Sequence, residues 1–184
     1  MISKLLNSQY DISFKELFDV NKTMVYNLVL SFLQNTEDAE DLTQDVFIEV
    51  YRSFDKFKGN SSVSTWIYRI SVNKSLDFLR KKKRKKHFAI FSRLFSDDEI
   101  SSDKNKIVHF DHPGILMEQK ENARLLFKLI NELKENQKTA FILFHIEELS
   151  QKEIAEIMGI SSKAVELLVR RAKLKLKEKL EKNE

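Results

Sequence analysis

Apolar residues recur at intervals of three and four along most of the chain, which is the spacing of one face of an α-helix. The pattern predicts two amphipathic helices before residue 33, a helix over residues 36–54 and another after residue 65. It weakens between residues 81 and 116 and then returns. The sequence has 3 glycines and 1 proline, too few for the many tight turns of a β-rich fold. We therefore predict an all-α protein.

The change of pattern also divides the chain into two small helical domains joined by a charged linker. We place the first domain at residues 1–82, the linker at residues 83–117 and the second domain at residues 118–184. The second domain is predicted to have four helices and to end in a helix-turn-helix. The apolar segment Phe88–Phe95, which follows a basic run, either docks on a partner or folds back onto a domain.

The helix over residues 36–54 has two contrasting faces. Thr36 is its predicted N-cap, because hydroxyl side chains are favoured there. The stripe predicted to be buried consists of Leu42, Val46, Phe47, Val50, Tyr51 and Phe54. The outer stripe is acidic and consists of Asp38, Asp41, Asp45 and Glu49.

The stretch Ser150–Lys173 predicts the helix-turn-helix. Ser150 and Glu153 fit a capping box, Gly159 can take the left-handed turn, and Ser161 or Ser162 can cap the second helix. The residues predicted to face inward are Ala164, Val165, Leu168, Val169 and Ala172. Those predicted to face outward, toward a major groove, are Ser162, Lys163, Glu166, Leu167, Arg170, Arg171 and Lys173.

A second candidate nucleic-acid surface lies between residues 60 and 74. Aromatic, hydroxyl, amide and basic side chains are close together there, and such groups stack on unpaired bases, bond their edges and hold phosphates. The candidates are Ser61, Ser62, Ser64, Thr65, Tyr68, Arg69, Asn73 and Lys74. Trp66 lies among them, and we expect it in the core.

Composition excludes several other kinds of site. The chain has no cysteine, so thiolate metal sites, disulfides and cysteine nucleophiles are absent. The four carboxylates of the acidic stripe lie along one helix and do not converge on a metal ion. No glycine-rich phosphate loop is present. We therefore expect no metal, cofactor or catalytic residue, and the absence of a long apolar run predicts a cytoplasmic protein.

Two stretches together resemble a known family. The run DAEDLTQDVFIEVYRSFDKFKGNSSVSTWIYRISVNKSLDFLRK resembles the main conserved domain of the extracytoplasmic-function (ECF) sigma factors of bacterial RNA polymerase. Residues 133–180 resemble the promoter-reading domain of the same family. The resemblance implies an alternative sigma factor that binds core polymerase, directs it to promoters and helps to open the DNA. Its implied partners are core RNA polymerase, promoter DNA and an anti-sigma factor.

The resemblance also implies roles for particular residues. The positions that match the polymerase-docking helix are Asp41, Leu42, Gln44, Asp45 and Phe47. Residues 57–73 match the segment that captures the non-template strand of the minus-ten element, with a flipped base held in the loop at residues 60–65. The helix-turn-helix matches the reader of the minus-thirty-five duplex.

The recognition helix departs from the family pattern at two positions. Leu167 and Leu168 stand where many members have serine and arginine, and Leu167 is either a contact to a thymine methyl group or a buried residue. Two other readings compete with the sigma factor. One is a stand-alone dimeric helix-turn-helix regulator, and the other is a membrane-surface protein that binds through Lys81–Lys86.

Overall fold

The computed structural model describes residues 14–94 and 120–182, with side chains described for residues 14–88 and 122–182. These residues form seven α-helices and no strand, which confirms the all-α prediction. The helices are α1 Phe14–Leu33, α2 Thr36–Ser53, α3 Val63–Leu94, α4 Lys120–Asn131, α5 Glu135–His145, α6 Gln151–Met158 and α7 Ser162–Leu180, with a single 3₁₀ turn at Phe54–Lys56.

Helices α1, α2 and α3 pack on one another and form the first bundle. Its core includes Val25, Leu28, Val46, Val50 and Ile67, all fully buried. The prediction of two helices before residue 33 was wrong, because α1 is continuous. The polar residues in its middle do not break it, and the Asn21 amide donates to the Leu17 carbonyl oxygen at 2.8 Å.

The corner between α1 and α2 contains a second correction. The N-cap of α2 is Asn35 and not Thr36, since the Asn35 side-chain oxygen accepts from the Asp38 N–H at 2.8 Å. Gln34, just before it, has a positive φ of 55° and is buried. This corner lies against the second bundle.

Helix α3 is the longest element, with 32 residues. Ser62 begins it by accepting a hydrogen bond from the Thr65 N–H at 3.0 Å. The helix continues through residue 82, where we placed the end of the first domain, so the basic run and the start of the Phe88–Phe95 segment prolong it. Phe88 is 73% exposed. The side chains of residues 89–94 and all of residues 95–119 lie outside the described part.

Helices α4–α7 form the second bundle, as predicted, and α6 and α7 are its helix-turn-helix. The capping box is confirmed: Ser150 Oγ accepts from the Glu153 N–H at 3.3 Å, and Glu153 Oε2 accepts from the Ser150 N–H at 2.9 Å. Gly159 has a φ of 66° and ends α6. Ser161 caps α7 by accepting from the Ala164 N–H at 3.2 Å.

Replacing Gly159 with alanine should destabilise the protein by about 1–2 kcal/mol, the cost of a left-handed conformation for a residue with a Cβ. The cost is conformational, because a Cβ at this position meets no atom within 4 Å. Chemical denaturation would measure the free energy of unfolding. Gly159→Asn is the control and should lose less, since asparagine tolerates positive φ better. Equal stability of the glycine and alanine proteins would contradict this account.

Candidate functional site

The outer face of α2 presents three of the five residues assigned to polymerase binding. Asp41, Gln44 and Asp45 are exposed. Leu42 and Phe47 are 5% and 3% exposed, so they belong to the core and cannot offer a surface. The Phe47 ring packs edge-on against Phe18 at 4.7 Å between ring centres.

Two exposed apolar residues extend the same face. Ile48 is 46% exposed, and Tyr51 is 55% exposed although the sequence pattern placed it in the buried stripe. Both follow Gln44 at helical spacing, so position along the helix already pointed to them. Tyr51 is held by an edge-on contact with Phe14 at 5.1 Å. The face therefore combines two carboxylates, an amide and an apolar end.

The two ends of the acidic stripe are neutralised within the molecule. Asp38 pairs with Lys82 at 2.6 Å, and Glu49 pairs with Lys74 at 3.1 Å. Asp41 and Asp45 make no ion pair with any residue in the described part of the chain. The negative charge available to a partner is therefore concentrated at the centre of α2.

The loop before α3 and the first turns of α3 bring most of the second candidate set together. Ser62, Ser64, Arg69 and Asn73 are exposed, and Ser61, Tyr68 and Lys74 are partly buried. Thr65 is 6% exposed, and its hydroxyl lies 2.8 Å from Ser62 Oγ. Thr65 therefore fixes the shape of the loop and does not present its hydroxyl to a ligand.

Trp66 supports this loop from below. Its ring lies 5.1 Å from the Phe57 ring and 6.2 Å from the Phe54 ring, and it packs against the hydrophobic core. The prediction that Trp66 is a core residue is confirmed. The loop is thus built on an aromatic base, which holds its polar groups at a fixed place on the surface.

Two candidate residues of α3 already contact the second bundle. The Tyr68 hydroxyl donates to Glu147 Oε2 at 3.3 Å, and the Arg69 guanidinium donates to the carbonyl oxygen of Glu156. Burial raises the pKa of Glu147 to about 7, against a smaller opposing effect of the hydrogen bond from Tyr68. Burial, followed by the Glu147 charge, also raises the pKa of Tyr68.

Helix α7 presents the third candidate set as predicted. All seven outward residues are exposed: Ser162, Lys163, Glu166, Leu167, Arg170, Arg171 and Lys173. Leu167 is 43% exposed, which decides between the two alternatives left open for it. Val165, Val169 and Ala172 are buried where α7 packs on α5 and α6. The exposed face therefore combines basic groups with one apolar side chain.

Other kinds of site were sought in the same residues. No group of three or more histidine, aspartate or glutamate side chains within the described ranges is placed to hold a metal ion. None of the described helices is both long enough and apolar enough to cross a membrane.

Comparison with known proteins identifies the family. Residues 17–85 match the model of sigma-70 region 2, and residues 123–176 match that of sigma-70 region 4. The chain is 30% identical over 174 residues to the ECF RNA polymerase sigma factor SigW of Bacillus subtilis, covering 91% of this chain and 89% of that protein. It is 32% identical over 167 residues to the ECF RNA polymerase sigma-E factor of Haemophilus influenzae, covering 85% and 87%.

The chain belongs to the ECF sigma factors of RNA polymerase. It is therefore an alternative sigma factor, whose two domains serve core RNA polymerase and promoter DNA. This confirms the resemblance and excludes the stand-alone regulator as its primary role.

Solved structures share its fold. The sigma factor RpoE of Bartonella quintana, in complex with the anti-sigma factor NepR, aligns with a TM-score of 0.66 at 24% identity, covering 91% of this chain and 96% of that one. CnrH in complex with the cytosolic domain of CnrY aligns with a TM-score of 0.64 at 22% identity, covering 93% and 89%.

Proposed function

We propose that the exposed face of α2 is the surface by which this sigma factor docks on core RNA polymerase. Asp41 and Asp45 supply unpaired negative charge, Gln44 supplies an amide, and Ile48 and Tyr51 supply apolar area. Complementary charge guides and orients docking, and the apolar residues add area that docking removes from water. Leu42 and Phe47 serve this surface indirectly, by anchoring α2 in the bundle.

The loop and first turns of α3 are proposed to capture the non-template strand of the minus-ten element. The proposed contacts are Ser61, Ser62, Ser64, Tyr68, Arg69, Asn73 and Lys74, with Thr65 shaping the loop. Extruding a base from the duplex costs a few kcal/mol, so a pocket that stabilises the extruded base favours the open strand. The fixed aromatic base beneath the loop supports this assignment.

Helix α7 is proposed to read the minus-thirty-five duplex. Its first turn carries Ser162 and Lys163 toward base edges, as in other helix-turn-helix proteins. Arg170, Arg171 and Lys173 would neutralise phosphates. The exposed Leu167 would touch a thymine methyl group, a contact that apolar side chains make in the major groove.

One observation carries the whole proposal: three exposed polar faces lie on the two matched domains, each on the element that the family uses. Polymerase would hold the two DNA readers at a fixed spacing, so that the second contact becomes effectively intramolecular. Each reader can then be weak alone. Bond formation would belong to the polymerase, and we assign no catalytic residue, cofactor or small-molecule substrate to this chain.

We also propose that an anti-sigma factor controls this protein in the cytoplasm. Both fold relatives described above were solved with an inhibitory or cytosolic partner domain bound, and RpoE is held by a named anti-sigma factor. The test of the whole function is transcription by core polymerase from a library of random promoters. The protein should select a defined pair of elements, and no selected transcript above core alone would refute the proposal.

Replacing Asn73 with alanine should slow strand opening at the selected promoter by roughly tenfold, the effect of losing about 1.4 kcal/mol of contact to the unpaired strand. Asn73 is exposed on α3, so the change should leave folding intact. Fluorescence of 2-aminopurine in the minus-ten element would report opening. A template already unpaired at that element should restore the rate, and a defect that persists there would contradict a role in opening.

A further inference from the structure

The two bundles are joined at the α1–α2 corner by a small polar network, here called the interdomain clasp. It consists of Phe32 and Gln34 from the first bundle and Asn131 and Lys138 from the second. The residues are far apart in sequence, so the clasp exists only when the bundles are in contact.

Lys138 is the centre of the clasp. It is 5% exposed, and its Nζ donates to the Phe32 carbonyl oxygen at 2.8 Å and to Asn131 Oδ1 at 2.6 Å. The ammonium also lies 5.6 Å from the centre of the Phe32 ring. Burial lowers the pKa of Lys138 to about 8, which leaves most molecules charged at neutral pH. A buried charge needs such partners, and Phe32 supplies two of them from the other bundle.

Gln34 closes the clasp from the other side. Its Nε2 donates to the Phe127 carbonyl oxygen at 3.1 Å, and its Oε1 accepts from Asn131 Nδ2 at 2.7 Å. The residue has a φ of 55°, which is uncommon for a residue with a side chain. A conformation of this kind persists where the surrounding contacts fix it.

The same closed arrangement covers part of the proposed minus-ten surface. Helix α3 packs on α6, and Tyr68 and Arg69 are bonded to Glu147 and Glu156 of the second bundle. Farther along α3, Arg80 pairs with Glu135 of α5. A strand of DNA that used Tyr68 and Arg69 would have to displace these partners.

Promoter geometry leads to the same conclusion. The two elements are about 25 base pairs apart, which is about 85 Å at ~3.4 Å per pair. A helical domain of the size of the second bundle is only about 28 Å across. Two bundles in direct contact therefore cannot occupy both elements of one promoter at the same time.

We propose that the free protein is autoinhibited by its own second domain, with the interdomain clasp holding the helix-turn-helix bundle over Tyr68 and Arg69. The masking rests on the proposed function of the α3 surface, whereas the closed state itself does not. Polymerase binding would then have to separate the bundles before the minus-ten surface can capture DNA.

The closed state can be measured in the free protein. Because the chain has no cysteine, Lys15→Cys and Lys152→Cys, on exposed positions of α1 and α6, allow two spin labels to be placed uniquely. The wild type should give one narrow distance distribution by electron–electron resonance. The double variant Gln34→Gly/Lys138→Met should give a broader and longer distribution, since it removes the clasp while glycine keeps the positive φ.

A gentler pair of variants covers the case in which the double variant does not fold. Glu135→Lys places a cation opposite Arg80 across the interface, and both side chains are partly exposed, so neither core is disturbed. Glu132→Lys is the matched control, because Glu132 pairs with Lys179 inside the second bundle. Only Glu135→Lys should lengthen the distance. A broad wild-type distribution, or no difference between the two variants, overturns the proposal.

Masking has its own measurement, the anisotropy of short fluorescein-labelled single-stranded DNA of random sequence. The clasp variant should bind at least tenfold more tightly than the wild type, as expected if less than about a tenth of free molecules are open. Adding Asn73→Ala should remove the gain. Longer distances without tighter binding overturn the masking, while transcription by wild-type protein with core polymerase tests the sigma function separately.

Discussion

Core RNA polymerase should no longer co-elute with the protein when Asp41 and Asp45 are both replaced by lysine. Like charges facing each other across an interface cost several kcal/mol, and ~1.4 kcal/mol is a tenfold change in affinity, so affinity should fall at least about 100-fold. Both side chains are exposed and make no ion pair in the described residues, so folding should be unchanged. Co-elution on a sizing column, with circular dichroism of the free proteins, would measure both effects.

The control variant should carry the same change of net charge at another place. Asp19→Lys with Glu40→Lys meets this requirement, since Asp19 is on α1 and Glu40 lies on a different side of α2. The Asp19–Lys22 pair that it breaks is exposed on both sides and contributes little. Equal loss of binding in the two variants would show that net charge and not the α2 face is responsible.

Replacing Arg170 and Arg171 with alanine should weaken binding of the polymerase complex to a duplex minus-thirty-five element roughly 100-fold. Each charge-assisted hydrogen bond contributes about 1.5–3 kcal/mol, and two would be lost. The dependence on salt should change as well, with the slope of log affinity against log salt smaller by about 0.9 for each lost phosphate contact. Fluorescence anisotropy over a salt series would measure both.

Two lysines of α1 provide the comparison for this variant. Lys15→Ala with Lys22→Ala removes the same charge from exposed positions of the first bundle. It should leave the affinity for the duplex and its salt slope unchanged. If the arginine variant lowered affinity without changing the slope, Arg170 and Arg171 would not be phosphate contacts, and the assignment of this face would be wrong.

The helix-turn-helix was predictable in detail because its signals are local. Ser150, Glu153, Gly159 and Ser161 act on backbone groups within a few residues of themselves. The period of α7 likewise separated its buried Val165 from its exposed face. Such features follow from chain geometry, which the sequence carries directly.

Predictions about which face is buried were less secure on α2. Leu42 and Phe47 match the family's docking positions, yet the bundle buries both. Tyr51 fits the apolar stripe but lies at its edge, where only an aromatic contact from Phe14 covers it. Helical period gives a direction for each side chain, but the neighbouring helices decide how wide the buried stripe is.

The sequence by itself determined the helices of the second bundle, the turn, the caps and the family, because these depend on local spacing and on residue identity along the chain. Only the tertiary structure decided that α1 is one helix, that Thr65 supports its loop, and that Lys138 is buried against Phe32. These outcomes depend on contacts between residues distant in sequence. The physical reason is that burial and charge pairing are properties of a packed surface, which no single segment specifies.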